Sequence, residues 1–363
     1  VFVEGTMAGD VVKAAFKKIK KKYAEADLVE IVVESPERVK PRCQYSGICG
    51  GCQMQFIPYA QQLEIKRQHV VDCFERIGGF RGIEVAEVLA CEQQFYYRNK
   101  MEFSFGYDAE MNFTLGMHVP GRRFDIMDLE VCYLESEKSA ELVNKVRDFM
   151  RETGWEPFKY SCGLGFLKHL VIREGKNTGE RMINLRTSDD MPADFDAVME
   201  GFVELLKEEC SSIFWTKDIA VRGQPRQREE KLLFGKNVLT EKMGLEFDIH
   251  PDAFFQVNTE QAEKLYSQVL EFALRKEQSL VFDLFCGTGT IGLFLAQHVE
   301  QVLGVELNEG AVKVARENAA KNKIFNIDFF VGDVGKVVKN FNQKPSLIVV
   351  DPPRAGLTEK LVG

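Results

Sequence analysis

Residues 279–292, SLVFDLFCGTGTIG, indicate a strand, a glycine turn and a helix in immediate succession. The apolar run 280–282 ends in Asp283 and passes at once into a turn with Gly287, Gly289 and Gly292. Glycine is needed in such a turn because a Cβ would block the approach of the backbone to a ligand. The stretch therefore predicts a nucleotide-cofactor pocket, although a glycine pattern alone is a weak signal.

Three further strands with acids at their ends follow this turn. QVLGVE ends in Glu306, IDFFV is followed by Asp333, and LIVV runs into Asp351. Helical patterns alternate with these strands, which predicts a doubly wound α/β domain with a parallel sheet. Ligands of such sheets bind outside the carboxyl ends of the strands, so we expect these acids and Asp283 to line one edge.

Two cofactors compete for this edge. Dinucleotide folds place the first glycine directly after the strand to hold a pyrophosphate, whereas a carboxylate ends the strand here. That carboxylate suits an amine-bearing cation, so S-adenosylmethionine is favoured over NAD. Glu306, nineteen positions after Gly287, is placed to accept hydrogen bonds from a ribose diol. Acids that merely cap helices are the plainer alternative.

The composition is that of a globular protein of two or three domains, with 363 residues, 45% of them hydrophobic and 28% charged. A net charge of −8 argues against indiscriminate nucleic-acid binding but allows a local basic surface. The sequence shows no apolar run of membrane-spanning length and no secretory signal. We therefore expect a cytoplasmic protein without membrane contact, in which nine cysteines are not a disulfide framework.

Three cysteines, Cys43, Cys49 and Cys52, follow a C-x5-C-x2-C spacing, and Cys132 is a remote fourth candidate. Three close thiolates can hold one side of a metal or cluster, and a distant one can close it. The spacing favours an iron–sulfur cluster. A zinc site with four thiolates, which usually has paired C-x2-C spacings, and unliganded thiols stay open as alternatives.

Basic residues mark several other segments. The lysine run 16–23 contacts phosphates or forms a solvated hairpin, and the arginine-rich segment 222–228 is predicted to be an exposed loop that can touch phosphate. Residues 58–79 predict an amphipathic packing helix. In the β-rich region that follows, His169, Arg173 and Arg186 are interpreted as the solvated face of a sheet, whereas Arg98 and Lys100 are candidates for a polyanion groove.

Four motifs together carry a resemblance to a known family: FFQVN at 254–258, DLFCGTGTIG at 283–292, GVE at 304–306 and DPPRAG at 351–356. With the cysteine spacing, they make the chain resemble the RNA 5-methyluridine methyltransferases, and among them the iron–sulfur enzymes that methylate uracil in 23S ribosomal RNA. The resemblance covers nearly the whole chain.

The resemblance implies a Rossmann-like S-adenosylmethionine-dependent methyltransferase domain, a β-rich central iron–sulfur domain and a partial OB-type TRAM domain. The implied map assigns 1–40 to the TRAM domain, 41–54 and 88–249 to the central domain, and 55–87 and 250–363 to the methyltransferase domain. It also implies a monomer whose partner is a single-stranded or loop uracil of 23S ribosomal RNA.

Site residues follow from the same resemblance. Cys43, Cys49, Cys52 and Cys132 would ligate a [4Fe-4S] cluster. The cofactor-binding set would be Gln256, Phe285, Gly287, Glu306, Asp333 and Asp351, with Asp333 near the adenine. Phe254 would stack on the flipped uracil, and Arg354, after the Pro-Pro pair, would lie at the base.

The implied chemistry needs a cysteine thiolate that adds to uracil C6 and a base that removes the C5 proton. In the family both residues follow the DPPR motif, so we expect the nucleophilic cysteine and the glutamate base beyond Gly363, in a chain trimmed at both ends. Cys286, inside the cofactor loop, is rejected as nucleophile. The alternatives are a non-catalytic RNA-binding iron–sulfur protein, a tRNA uracil-5 methyltransferase, an amino-methyltransferase and an NAD-dependent oxidoreductase.

Overall fold

The computed structural model describes residues 1–122, 124–219 and 227–362. Residues 222–226 of the predicted arginine-rich loop lie outside the described residues. The chain divides into two compact units, one formed by Val1–Gln94 and Gly106–Tyr133, the other by Phe95–Phe105 and Leu134–Gly363.

Both units contain strands and helices. The strands are β1 Phe2–Val3, β2 Val11–Ile19, β3 Ala24–Val33, β4 Lys100–Tyr107, β5 Phe113–His118, β6 Ile126–Asp128, β7 Leu167–Glu174, β8 Arg181–Thr187, β9 Ser212–Ile219, β10 Gln227–Gly235, β11 Leu239–Met243, β12 Leu245–Ile249, β13 Leu280–Leu284, β14 Gln301–Glu306, β15 Ile327–Val331 and β16 Leu347–Val350. The helices are α1 Tyr59–Asp72, α2 Glu137–Thr153, α3 Phe195–Leu206, α4 Thr259–Ala273, α5 Thr290–Ala296, α6 Glu309–Lys321, α7 Val334–Val337 and α8 Glu359–Val362. A π-helical turn, Cys73–Ile77, follows α1, and a 3-10 turn, Val338–Asn340, follows α7.

The first unit opens with a three-stranded sheet in the order β1-β3-β2. The lysine run lies on the exposed β2–β3 hairpin, where Lys17 pairs with Asp27 at 3.2 Å across the strands. The predicted helix after residue 58 is present, but no residue of α1 is buried and Ile77 in the next turn is 84% exposed. Residues 55–87 lie in this unit, and the three-domain map stays a prediction.

The second unit contains a five-strand run in the order β10-β9-β8-β7-β4. Cross-strand partners Phe103, Leu170 and Leu185 form a buried apolar row on one face. Helix α3 covers this face where the ring of Phe195 packs on Trp215, with the ring centroids 4.5 Å apart. Alternation along the strands then directs the polar residues to the opposite face.

That polar face is buried where we expected solvent. Arg173 is 3% exposed and Arg186 is 5% exposed, so the interpretation of these two arginines as a solvated surface is wrong. The reason is a long-range contact: Arg173 donates to the main chain of Pro251, and Arg186 pairs with Asp252. Residues 250–258, the segment before α4, thus cover this part of the sheet.

The C-terminal sheet confirms the predicted parallel arrangement, with the strand order β15-β14-β13-β16 and every pairing parallel. One face packs against α4, α5 and α6, and the other against α7, so helices cover both faces. Asn258 caps α4 as predicted, because its Oδ1 accepts from the Gln261 N–H at 3.1 Å. None of the helices in the described part of the chain has the length and apolarity needed to cross a membrane.

A buried carboxylate joins three segments of the second unit. Glu241 on β11 is 0% exposed. Its oxygens accept from the main-chain N–H of Lys176 at 2.7 Å, from that of Asn177 at 3.0 Å and from the Thr259 hydroxyl at 2.9 Å. The turn after β7, strand β11 and the start of α4 therefore depend on one side chain.

We predict that Glu241→Ala lowers the free energy of unfolding by about 3 kcal/mol, because several buried donors lose their acceptor. Urea denaturation followed by the fluorescence of Trp155 and Trp215 measures the change. Glu229→Ala is the control, since Glu229 is exposed and forms an ion pair with Lys217; it should change stability by less than about 0.5 kcal/mol. Equal effects of the two variants would contradict this role of Glu241.

Candidate functional site

The predicted acids meet at the carboxyl edge of the parallel sheet. Glu306 ends β14, Asp333 immediately precedes α7, and Asp351 directly follows β16. Strand β13 lies between β14 and β16, so the glycine turn that follows it opens between these acids. The structure therefore brings together the residues that the sequence placed at this edge.

Glu306 holds the glycine turn, and the space beside Gly287 is open. One carboxylate oxygen of Glu306 accepts from the Gly287 N–H at 3.1 Å, and the other accepts from the Asn308 N–H at 2.8 Å. Gly287 has a φ of +54°, and a Cβ built there would meet nothing within 4 Å. Phe285 has a φ of +64°, which is strained for a residue with a side chain and is typical of ligand sites. A ligand can therefore approach this backbone closely.

Asp283 lies directly beneath the turn and is 1% exposed. Its Oδ2 accepts from the Gly292 N–H at 2.8 Å, while its Oδ1 has no hydrogen-bond partner within the described residues. Burial, and to a lesser extent the charges of Asp351 and Glu306, raise the pKa of Asp283 to about 7 against the opposing Gly292 hydrogen bond. A cationic amine is the kind of ligand that these carboxylates fit.

Cys286 is unsuited to nucleophilic attack. Burial raises the pKa of this thiol well above its usual range, and the nearby carboxylates of Asp283 and Glu306 raise it further. The thiolate is the reactive form of cysteine. The thiol in the glycine turn is therefore neutral at physiological pH, in agreement with its rejection as the nucleophile.

Residues 250–258 present aromatic rings in opposite directions. Phe254 is 71% exposed, whereas Phe255 is 5% exposed and packs against Phe247 with the ring centroids 5.9 Å apart. The carbonyl of Gln256 accepts from the Asn99 side-chain amide at 2.7 Å. Gln256 and the exposed ring of Phe254 thus belong to one anchored segment.

The residues that anchor this segment could not be recognised from the sequence pattern. Arg173 Nε donates to the carbonyl of Pro251 at 3.1 Å, and its Nη2 donates to the carbonyl of Ala253. Arg186 and Arg228 both pair with Asp252, and these ion pairs also hold the same segment in place. The available signal was a set of cations at alternate positions in otherwise apolar strands, which solvated sheets also show.

The cysteines of the predicted cluster lie in the first unit. The loop that carries Cys49 is held by the Gly50 N–H, which donates to the carbonyl of His118 at 3.1 Å. The Gly51 N–H donates to the sulfur of Cys49 at 3.3 Å. Burial raises the pKa of the Cys49 thiol, and Cys52 and Cys43 raise it further against the opposing hydrogen bond from Gly51.

The segment with Cys132 returns to this loop. The Glu130 N–H donates to the Tyr45 hydroxyl at 3.3 Å, and the Arg42 guanidinium lies 4.7 Å from the ring centroid of Tyr133. In the part of the chain that the structure describes, however, no group of three or more His, Cys, Asp or Glu side chains is arranged to hold a metal ion. The backbone contacts bring the thiol segments together, although the described side chains do not form a coordination site.

Comparisons with known proteins support a cofactor site at the carboxyl edge of the parallel sheet. A family model described as tRNA (Uracil-5-)-methyltransferase matches residues 204–363. The chain is 37% identical to an uncharacterized RNA methyltransferase of Clostridium acetobutylicum, over 99% of this chain and 79% of the relative. It is also 37% identical to one of Chlorobaculum tepidum, with the same coverage of both chains.

A solved structure extends the similarity to the fold. The Pyrococcus abyssi tRNA (uracil-54, C5)-methyltransferase in complex with S-adenosyl-L-homocysteine superposes with a TM-score of 0.76 at 27% identity, over 99% of this chain and 81% of that one. The fold and the acidic edge define an S-adenosylmethionine-dependent methyltransferase. More narrowly, the chain belongs to the RNA (uracil-5-)-methyltransferase family and is an enzyme of that kind. The non-catalytic and NAD-dependent alternatives are thereby set aside.

The raised pKa of Asp283 predicts a specific pH dependence of stability. Between its ordinary value of 3.8 and the folded value of about 7, the folded protein binds a proton that the unfolded chain has released. Stability is therefore lost as the pH rises through this window. Asp283→Asn cannot ionise, so the wild type should lose on the order of 2 kcal/mol more than the variant between pH 5 and pH 8.

Urea denaturation at both pH values measures this difference. The control is Asp328→Asn on β15, an exposed carboxylate of the same sheet, which should show the wild-type dependence. The same loss of stability in Asp283→Asn and the wild type would show that Asp283 is not the titrating group.

Proposed function

We propose that the protein transfers a methyl group from S-adenosylmethionine to C5 of a uracil in 23S ribosomal RNA. The observation that carries this proposal is the exposed ring of Phe254, held on an anchored segment in the same compact unit as the carboxyl edge of the sheet. A large apolar side chain that is kept rigid and exposed is suited to stacking on a base. The four family motifs that contain these residues support the same substrate class.

Each residue at the carboxyl edge of the sheet is proposed to contact a different part of the cofactor. Glu306 accepts hydrogen bonds from the ribose hydroxyls, and the open backbone at Gly287 allows close approach. Asp333 lies beside the adenine, and Gln256, Phe285 and Asp351 complete the pocket. The bound sulfonium supplies the methyl group to the attacking carbon.

The uracil base is proposed to contact Phe254 and Arg354. A uracil must leave its stack to be methylated, which costs a few kcal/mol. Stacking on Phe254 offsets about 1–3 kcal/mol of that cost. Arg354, which is exposed after the Pro-Pro pair, contributes a cation beside the base.

The proposed chemistry begins with addition of a cysteine thiolate to C6, which makes C5 an enolate carbon able to take the methyl group. A glutamate then removes the C5 proton, and breaking the C6–S bond releases the thiolate. Family resemblance assigns both residues to positions after the DPPR motif. The neutral thiol of Cys286 does not serve as the nucleophile.

We further propose that Cys43, Cys49, Cys52 and Cys132 ligate a [4Fe-4S] cluster with a structural role. The N–H donation to the Cys49 sulfur and the contacts that hold segment 130–133 on the cysteine loop support this assignment. Residues 1–40, with the lysine-bearing hairpin, are proposed to be part of a TRAM domain that binds RNA. The enzyme is proposed to act as a cytoplasmic monomer.

Transfer RNA is the second candidate substrate, because the solved structure that this chain resembles is named for uracil-54 of tRNA. Labelled S-adenosylmethionine separates the two when it is incubated with either 23S ribosomal RNA or tRNA and with protein that carries the proposed cysteine and glutamate after the DPPR motif. We predict 5-methyluridine in the ribosomal RNA. Label in tRNA alone would overturn the ribosomal assignment and favour the second candidate.

Substitution of Phe254 tests the proposed stacking. We predict that Phe254→Ala lowers kcat/KM for RNA by about 10- to 100-fold, because one stacked base is lost. S-adenosylhomocysteine affinity should remain, as measured by calorimetry. Phe325→Ala is the matched control, since Phe325 is also exposed, at 83%, but lies in the connection between α6 and β15. Equal activities of the two variants would refute the stacking role.

The cluster proposal predicts about four iron and four sulfide ions per chain after anaerobic purification. Cys49→Ser should lose most of the iron and should lower the thermal stability. Cys73→Ser is the control, because Cys73 is an exposed thiol of the same unit. Zinc in place of iron, or no metal at all, would contradict the cluster.

A further inference from the structure

Lys100 lies on the buried polar face of the sheet β10-β9-β8-β7-β4, where it differs from the other cations. It is half-buried on β4, and its side chain makes no hydrogen bond or ion pair with the described residues. Other buried cations of this face have partners: Lys168 lies 3.5 Å from Asp218, and Arg186 pairs with Asp252. Among the described residues, Lys100 is therefore left without a direct ion-pair partner.

The surroundings of Lys100 are electropositive. Its cross-strand partner is Arg173. Burial, with the charges of Arg173 and Arg186, lowers the pKa of Lys100 to about 8, and Glu102 and Asp252 offset this effect only in part. Both of those acids already pair with Arg186. A bound anion would relieve this unfavourable arrangement.

Lys100 is linked through its cross-strand partner Arg173 to the segment that presents the Phe254 ring. Arg173, opposite Lys100 in the sheet, donates to the carbonyls of Pro251 and Ala253. Ala253 immediately precedes the exposed Phe254. An anion held at Lys100 would thus lie close to the segment that presents this ring, and RNA provides one phosphate with every nucleotide.

We propose that the Lys100 ammonium binds a backbone phosphate of the RNA, next to the nucleotide that stacks on Phe254. The inference rests on the proposed function, since it takes RNA as the substrate. Phosphate contacts of this kind fix the register of a nucleic acid without reading its sequence. Lys100 would therefore position the strand so that one nucleotide reaches the aromatic ring.

Binding of a short fluorescein-labelled single-stranded RNA, with one uridine among cytidines, tests this by anisotropy over a range of NaCl concentrations. Lys100→Gln should weaken binding about tenfold. It should also reduce the slope of log Kd against log salt by about 0.7, the value for one lost phosphate contact. Lys100→Arg should keep the wild-type slope, because the charge remains.

Lys231→Gln is the matched control. Lys231 is an exposed lysine on β10 of the same sheet and has no ion pair among the described residues. It should retain the wild-type affinity and slope. Equal losses in Lys231→Gln and Lys100→Gln would mean a general charge effect and would overturn the assignment of Lys100.

Methylphosphonate substitution of single phosphates beside the uridine changes the RNA in place of the protein, and its first measurement uses the wild type alone. One such substitution should weaken binding to the wild type about tenfold and should cost nothing further in Lys100→Gln, because the two changes remove the same contact. Additive losses, or no loss at any flanking phosphate, would overturn the inference alone. A wild type that binds no RNA would overturn the proposed function and this inference with it.

Discussion

The site depends on buried arginines that hold a segment without secondary structure of its own. Arg173 gives two hydrogen bonds to the main chain of residues 251–253, and Arg186 pairs with Asp252. Burial lowers the pKa of Arg173 to about 10, so it remains charged at neutral pH. Each charge-assisted hydrogen bond contributes about 1.5–3 kcal/mol, and the exposed position of Phe254 is maintained as a result.

The second requirement is an edge where parallel strands end together. Because β13 lies between β14 and β16, the glycine turn opens between carboxylates from neighbouring strands. Gly292 allows the start of the helix to lie close to Asp283, since a Cβ at position 292 would lie 2.8 Å from the Asp283 carboxylate. The buried acid and the strained Phe285 reduce stability at the place where a cationic ligand is needed, as functional sites often do.

Cofactor and base residues share one compact unit, whereas the four thiols belong to the other. A structural cluster would contribute folding free energy to a unit whose helix α1 buries no residue. This division is consistent with a proposal in which metal chemistry takes no part in methyl transfer. In the proposed mechanism, the methyl group, the nucleophile and the base account for every bond that changes.

The sequence alone determined the parallel sheet, the acids at its edge, the cap at Asn258 and the family, because strand periodicity, glycine turns and short motifs are local signals. Only the tertiary structure decided that Arg173 and Arg186 are buried and that Lys100 forms no ion pair with the residues that the structure describes. Arg173 meets its partner 78 positions away in the chain. No local pattern distinguishes such a cation from one on a solvated sheet face, because the difference depends on which distant segment covers it.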